Sequence, residues 1–138
     1  MTEGNEAADR LVAEHPDAHK YFSLRSLALF RSALAIWDVF EDDGCWIMLE
    51  GTGPDRELHW FCPHGAKLPA LRRILHHVFF DLGVESVGGE QPKGHPYRRE
   101  ARALARALGA EAWEEGYVLT SARFAAYNRD KRGFLGDI

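Results

Sequence analysis

The stretch FCPHGAKLPALRR, residues 61–73, decides how this chain is read. An aromatic, apolar run stops at Pro63 and Gly65, and a helical pattern begins a few residues later. From Leu71 the apolar positions are Leu71, Ile74, Leu75, Val78, Phe79 and Leu82, the spacing of one buried helix face. Gly83 stands where a C-capping glycine belongs. The stretch is therefore a strand, a loop and the start of a helix, and two readings of the loop are open. A helix N-terminus carries unpaired N–H groups and partial positive charge, so a loop of small residues running into it binds phosphate through the backbone. The plainer reading is a turn, with Pro69 preset for the first helical turn.

Working back from this stretch, Glu57 to Cys62 reads as a strand with Leu58, Trp60 and Cys62 on one face and His59 and Phe61 on the other. GTGPDR before it is a turn. Cys45 to Leu49 is continuously apolar, EDDG is a hairpin signal, and Trp37 and Val39 alternate with Asp38 and Phe40. Together these predict a three-strand antiparallel meander, with Ala35–Phe40 also able to prolong the preceding helix. Asp17 is placed to cap a helix running to about Leu34, with Leu24, Leu27, Phe30 and Leu34 on its apolar face. Residues 1–16 read as a flexible or short helical segment, and residues 17–138 as a single domain. Forward of the helix, Val84–Val87 is a short strand, GGEQPKGHP a loop, and YRREARALARALGA a second helix whose apolar face is Tyr97, Ala101, Leu104, Ala105 and Leu108. Tyr117–Thr120 is a further strand, and the segment after residue 121 has no clear pattern. Antiparallel strands followed by strand–helix–strand–helix–strand imply an α/β (α+β) mixed sheet with helices on its faces.

Composition narrows the field. The chain has 138 residues, 46% hydrophobic and 28% charged, the size and balance of one soluble globular domain. No apolar run has membrane length. The acidic N-terminus lacks a basic region followed by an apolar one, so no signal peptide is evident and the expected location is cytoplasmic. A formal charge of −4 argues against nucleic acid as partner. Cys45 and Cys62 each sit in an apolar run. They read as two reduced, buried thiols, with a disulfide between neighbouring strands as the alternative.

The element order and the details of residues 37–120 resemble the GCN5-related N-acetyltransferase (GNAT) superfamily, a three-layer sandwich. HWFCPHGAKLPALRRILHHVFFDLGV is similar to that family's strand, pyrophosphate loop and long helix. VESVGGEQP is similar to the strand that diverges from its neighbour to admit the acyl arm of coenzyme A. REARALARALGA resembles its next helix, and EEGYVLTS the strand after it. Small acetyltransferase-like proteins of bacteriophages have a similar look. The resemblance implies binding of an acyl-coenzyme A, acetyl-CoA first, by Gly65, Ala66, Lys67, Leu68 and Ala70, by the strand edge at Phe61 and Cys62, and by Arg98. It implies transfer to an unidentified amine, with Glu57 or His59 as the base. The sequence departs from the family at several points. Leu68 falls on a glycine position, Pro69 removes a donor, and the motif is degenerate. Lys67, Arg72 and Arg73 are the charges placed to compensate. Ala105 replaces the tyrosine proposed as the acid in that family, and the region before residue 37 is short for the family's first strand and two helices. These departures support an alternative: a catalytically inactive structural or binding subunit, a homo-oligomer or virion component contacting a protein partner. No metal is expected. His59 and Cys62 have opposite strand parity, and His76 and His77 point about 100° apart on a helix. Arg99, Arg102 and Arg106 form a basic stripe, read as a solvated helix face.

Overall fold

The computed structural model describes residues 1–22, 24–90, 98–113 and 116–128. Its element order is β1 (Thr2–Glu3), α1 (Asn5–Glu14), α2 (Ala18–Tyr21), α3 (Leu27–Ile36), β2 (Asp38–Asp42), β3 (Cys45–Glu50), β4 (Asp55–Phe61), α4 (Leu68–His76, continued by a π turn at His77–Asp81), β5 (Ser86–Glu90), α5 (Arg98–Ala107), β6 (Glu111–Trp113), β7 (Gly116–Thr120) and α6 (Ser121–Asn128). The strands form one mixed sheet in the order β1-β2-β3-β4-β5-β7-β6. The β4–β5 pair is parallel and every other pair is antiparallel. This is the α/β mixed sheet expected from the meander followed by strand–helix–strand–helix–strand.

Strand parity divides the sheet into two faces. Phe40, Ile47, Leu49, Leu58, Trp60, Val87 and Leu119 point one way and pack with Leu71, Ile74 and Leu75 of α4, Ala101 and Ala105 of α5 and Phe124 of α6. Val39, Trp46 and Met48 point the other way, under Ala7 and Leu11 of α1 and Phe30 and Leu34 of α3. Helices thus cover both faces, giving three layers. Trp46 ties the second layer down, since its indole Nε1 donates to the Ala7 carbonyl at 3.1 Å. The β2–β3 hairpin forms where the Asp43-Gly44 pair predicts it. Asp42 pairs with Cys45, and both loop residues take positive φ (51° and 79°), as a two-residue primed turn requires.

Three expectations need correction. The helix expected from Asp17 to Leu34 is two helices, because Ser26 accepts from the Leu29 N–H (3.2 Å) and starts α3 afresh. The N-terminal region is long enough for a strand and helices: Thr2 and Glu3 pair with β2, and Ala7 and Leu11 of α1 are fully buried. Leu82, expected on the buried face of the long helix, is 51% exposed. The π turn at His77–Asp81 holds an extra residue, so the positions after it rotate out of phase while Val78 and Phe79 stay inside. The imidazole of His77 bridges Asp81 (2.7 Å) and Glu3 (3.0 Å), fastening that turn to β1. Strand β6 and helix α6 were not anticipated. Among the described residues no helix is long and apolar enough to cross a membrane.

Candidate functional site

The site begins where β4 and β5 part. Their ladder holds Asp55↔Ser86, Arg56↔Val87 and Glu57↔Gly88. Beyond Glu57, β4 follows β3 (Ile47↔Trp60, Trp46↔Phe61) while β5 follows β7 (Gly89↔Tyr117, Glu90↔Gly116). The edge of β4 from Leu58 to Phe61 therefore has no β5 partner among the described residues. Glycines in β5 shape the gap. A Cβ on Gly89 would lie 2.9 Å from the Tyr117 hydroxyl, so only glycine lets that ring lie across β5. Tyr117 then stacks on Trp60 of β4, centroids 5.4 Å apart and planes within 9°. Burial, and then the charge of Glu57, hold the Tyr117 hydroxyl well above its ordinary range, so it stays protonated.

Past the end of β4, on the α5 side of the sheet, is a cavity of about 400 Å³. Trp60, Phe61, Cys62, Gly65, Ala66 and Ala101 line it, with Glu100 and Leu104 completing the α5 wall. Larger hollows, of about 560 and 660 Å³, lie against α1 and α3 and beside Pro54 and Gly83. Neither is lined by residues at the parted ends of β4 and β5. The cavity adjoins the loop that opened the sequence reading. Gly65 takes φ 96° there, and its N–H closes a turn onto the Cys62 carbonyl (3.1 Å). Lys67 is the N-cap of α4, and the first intrahelical bond runs from the Leu71 N–H to the Lys67 carbonyl (3.1 Å). The N–H groups of Leu68 and Ala70 accordingly have no intrahelical acceptor.

The cofactor-binding expectations divide. Phe61, Cys62, Gly65 and Ala66 share the cavity wall. Leu68 is partly buried and packs against the core, and the Ala70 side chain is fully buried. The Arg98 side chain and Tyr97 lie outside the described residues. The charges expected to compensate are committed elsewhere. Lys67 pairs with Asp43 (3.1 Å), Arg72 Nε donates to Asn128 (3.0 Å), and Arg73 makes two hydrogen bonds to Asp42 (2.8 and 2.9 Å). Of the basic stripe, Arg99 and Arg106 are exposed and Arg102 is half-buried.

Glu57 and His59 sit on the opposite face of β4 from Trp60. The sequence reading missed their third companion. Glu50 of β3 stands directly across from Glu57, and its carboxylate is 3.2 Å from the His59 Nε2. One ligand atom from each of Glu50, Glu57 and His59 lies within 4.8 Å of the others, a set whose chemistry suits a cation. The β3–β4 register was the signal that would have found it. Trp37 stacks on the His59 ring (4.6 Å, 13°) and fixes its plane. Partial desolvation, then the charge of Glu50, raise the Glu57 carboxyl above its ordinary range. Glu57 is also the last β4 residue paired with β5, so this cluster stands at the mouth of the split. Of the adjacent pair His76 and His77, His76 packs on Phe80, while His77 is held by Asp81 and Glu3.

No family model matches this chain, and no curated protein matches it. Among solved structures it is similar to Mycobacterium smegmatis RimJ in complex with CoA-disulfide, at 14% identity and a TM-score of 0.46, over 75% of this chain and 70% of that one. At that level the similarity carries no weight for what this chain does.

Proposed function

We propose that this chain binds an acyl-coenzyme A, acetyl-CoA first, at the parted ends of β4 and β5 and transfers the acyl group to an amine. The observation that carries the reading is the ladder that stops at Glu57↔Gly88 and leaves a strand edge beside a cavity. The resemblance to the GNAT superfamily in the order of these elements supports it. The free edge of β4 at Phe61 and Cys62 pairs with the amide-bearing arm of the ligand. The main-chain N–H groups of Leu68 and Ala70, which have no intrahelical acceptor, face its diphosphate. The acyl carbonyl then lies at the split, within reach of an amine approaching from the Glu57–His59 face. The amine nitrogen attacks the carbonyl carbon, the carbon–sulfur bond breaks, and Glu57 or His59 takes the proton the nitrogen sheds. Ala105 is buried and has no proton to give. The departing thiolate is protonated by water or by the Tyr117 hydroxyl, which its surroundings keep in the acid form.

Thermal denaturation with acetyl-CoA tests the binding step. At a hundredfold excess over Kd, stabilisation is about 2.7 kcal/mol, a rise in Tm of roughly 5–20 °C at the 2–8 °C per kcal/mol of domains this size. No shift at millimolar ligand ends the reading.

A second reading keeps the ligand and drops the reaction: a binding or structural subunit with an inert site. Ala105 and the acidic Glu100 in the cavity wall favour it. A thermal shift without thiol release across a panel of primary amines would select it.

A further inference from the structure

The acyl-transfer reading uses the main chain of Cys62 but neither cysteine's thiol, and the placement of the two thiols supports an inference that stands apart from it. We propose that Cys45 and Cys62 form a redox-responsive dithiol, whose oxidation to an intramolecular disulfide staples the start of β3 to the end of β4 in the cavity wall. The β3–β4 register runs Ile47↔Trp60 and Trp46↔Phe61. One further step sets Cys45 opposite Cys62, and parity puts both side chains on the same face as Trp60. Directly opposed residues of an antiparallel pair have Cα atoms about 4.5–5.5 Å apart, inside the span of about 4.4–6.8 Å that a disulfide needs. Both cysteines are free thiols. The Cys45 Sγ reaches the Gly65 carbonyl at 3.9 Å, in the loop that leads on from Cys62. Core filling explains Cys45, which is fully buried. Cys62, on the same rung, is half-buried, packs against the same core and faces the cavity.

The electrostatics agree with the geometry. The hydrogen bond from Cys62, then the Lys67 N–H and ammonium, bring Cys45 down to about 7, while the same contact and burial push Cys62 up. The pair thus gives up one proton near neutrality and holds the other between its sulfurs. Cys62 is the sulfur an oxidant reaches from the cavity, and it reacts in the minor form of the singly deprotonated pair, in which Cys45 carries the remaining proton. With hydrogen peroxide as oxidant, the thiolate attacks one peroxide oxygen. The S–O bond forms as the O–O bond breaks, and hydroxide leaves with a proton as water. The Cys45 thiol then attacks the sulfenic sulfur, the S–S bond forms, the S–O bond breaks and a second water leaves. Two thiols are oxidised and one peroxide is reduced to two waters. A dithiol reductant reverses the bond. The bond draws the Cys62 side chain toward Cys45, so whatever occupies the cavity meets a different wall in the two states.

The test uses the native full chain exposed to hydrogen peroxide, quenched under denaturing conditions with a maleimide and read by intact mass and peptide mapping. The expected product loses both thiols together, two hydrogens lighter, with the Cys45 and Cys62 peptides cross-linked and restored by dithiothreitol. In the Cys45→Ser variant, Cys62 stops at a sulfenic acid that dimedone traps. An equilibrium titration of the wild-type chain in glutathione redox buffers needs no variant and is expected to give one reversible two-electron transition. Sulfinic acid on one cysteine alone, disulfides only between chains, or thiols that stay unreacted until the chain unfolds would each overturn the proposal.

Discussion

Glu57→Gln is expected to make the protein more stable while removing its candidate base. Glu57 faces Glu50 directly across the β3–β4 ladder. Like charges directly opposed in a sheet cost about 0.2–1 kcal/mol. Two features keep the cost toward the low end: Glu57 is largely exposed to screening solvent, and the neighbouring His59 attracts its charge. About 0.5 kcal/mol, or roughly 1–4 °C in Tm, is the magnitude to look for. The sign follows from linkage. The Glu57 carboxyl titrates above its ordinary value of 4.5 in the folded chain. Across the window that opens at that value, the folded state holds more proton than the unfolded one, so stability falls as pH rises. Glutamine does not ionise, so its advantage exists above the window and vanishes below it. Urea denaturation at pH 4 and at pH 7.5, each at low and high salt, measures this directly. The expected result is a gain at pH 7.5 that shrinks with salt and is absent at pH 4. A loss of stability at pH 7.5, or an equal gain at both pH values, refutes the charge argument. His59→Gln is the control and should destabilise, since it removes the imidazole that hydrogen-bonds Glu50 and the ring that stacks on Trp37. Turnover of the Glu57→Gln variant should fall by roughly 10²–10⁴, the usual worth of a positioned base.

Other substitutions test the frame around the site. Arg73→Met strands the nearly buried Asp42 carboxylate and should cost about 1.5–3 kcal/mol, the range for hydrogen bonds to charged groups, by chemical denaturation at neutral pH. Because Arg73 holds Asp42 below its ordinary range, that contribution is complete above pH 3.8 and is lost as pH falls further, so the variant and the wild type should converge in acid. Asn128→Leu leaves the Leu108 and Phe124 carbonyls without their shared donor (3.2 and 2.9 Å) and should cost roughly 2–6 kcal/mol by the same assay, at about 1–3 per stranded buried group. Gly89→Ala puts a methyl 2.9 Å from the Tyr117 hydroxyl; near-UV circular dichroism should report loss of the Trp60–Tyr117 stack, at roughly 1–3 kcal/mol of overpacking.

Which parts of this were legible in the sequence depends on how local their causes are. The β2–β3 hairpin was legible because Asp43 and Gly44 supply the positive φ that fixes the turn. The α4 face was legible because its apolar spacing extends over several turns, but the π turn was not, since Val78 and Phe79 suit either winding. Strand β6 spans only Glu111–Trp113 and exists because β7 pairs with it, which no local pattern announces. The same limit hid Glu50 from the candidate site and left the pairing of Cys45 with Cys62 across neighbouring strands as only an alternative. Each is a cross-strand relation set by the turn at residues 51–54 and invisible to a pass along a single strand. The commitments of Arg72 to α6 and of Arg73 to β2 are more distant still.

Those commitments bear on how an anion would be held near residue 70. Leu68, expected to obstruct it, is partly buried and packs against the core. Pro69 still removes one N–H, and the basic side chains of the 65–73 segment are directed away from the loop: Lys67 to Asp43, Arg73 to Asp42, and Arg72, whose charge is not neutralised, to the Asn128 amide of α6. What remains is main-chain N–H groups and the helix dipole, a source of about 0.3–1 kcal/mol at an exposed end, only a two- to fivefold gain in affinity. Affinity for an acyl-coenzyme A must therefore come from the apolar cavity and from pairing along the β4 edge. ADP, which offers the diphosphate and no arm, should compete at least an order of magnitude more weakly than coenzyme A, and binding of the full ligand should change little between low and moderate salt. Competition titrations of both compounds, followed by thermal shift, decide it. If ADP matches coenzyme A, or if salt abolishes binding, the ligand is held by charge, and the strand edge is not what recognises it.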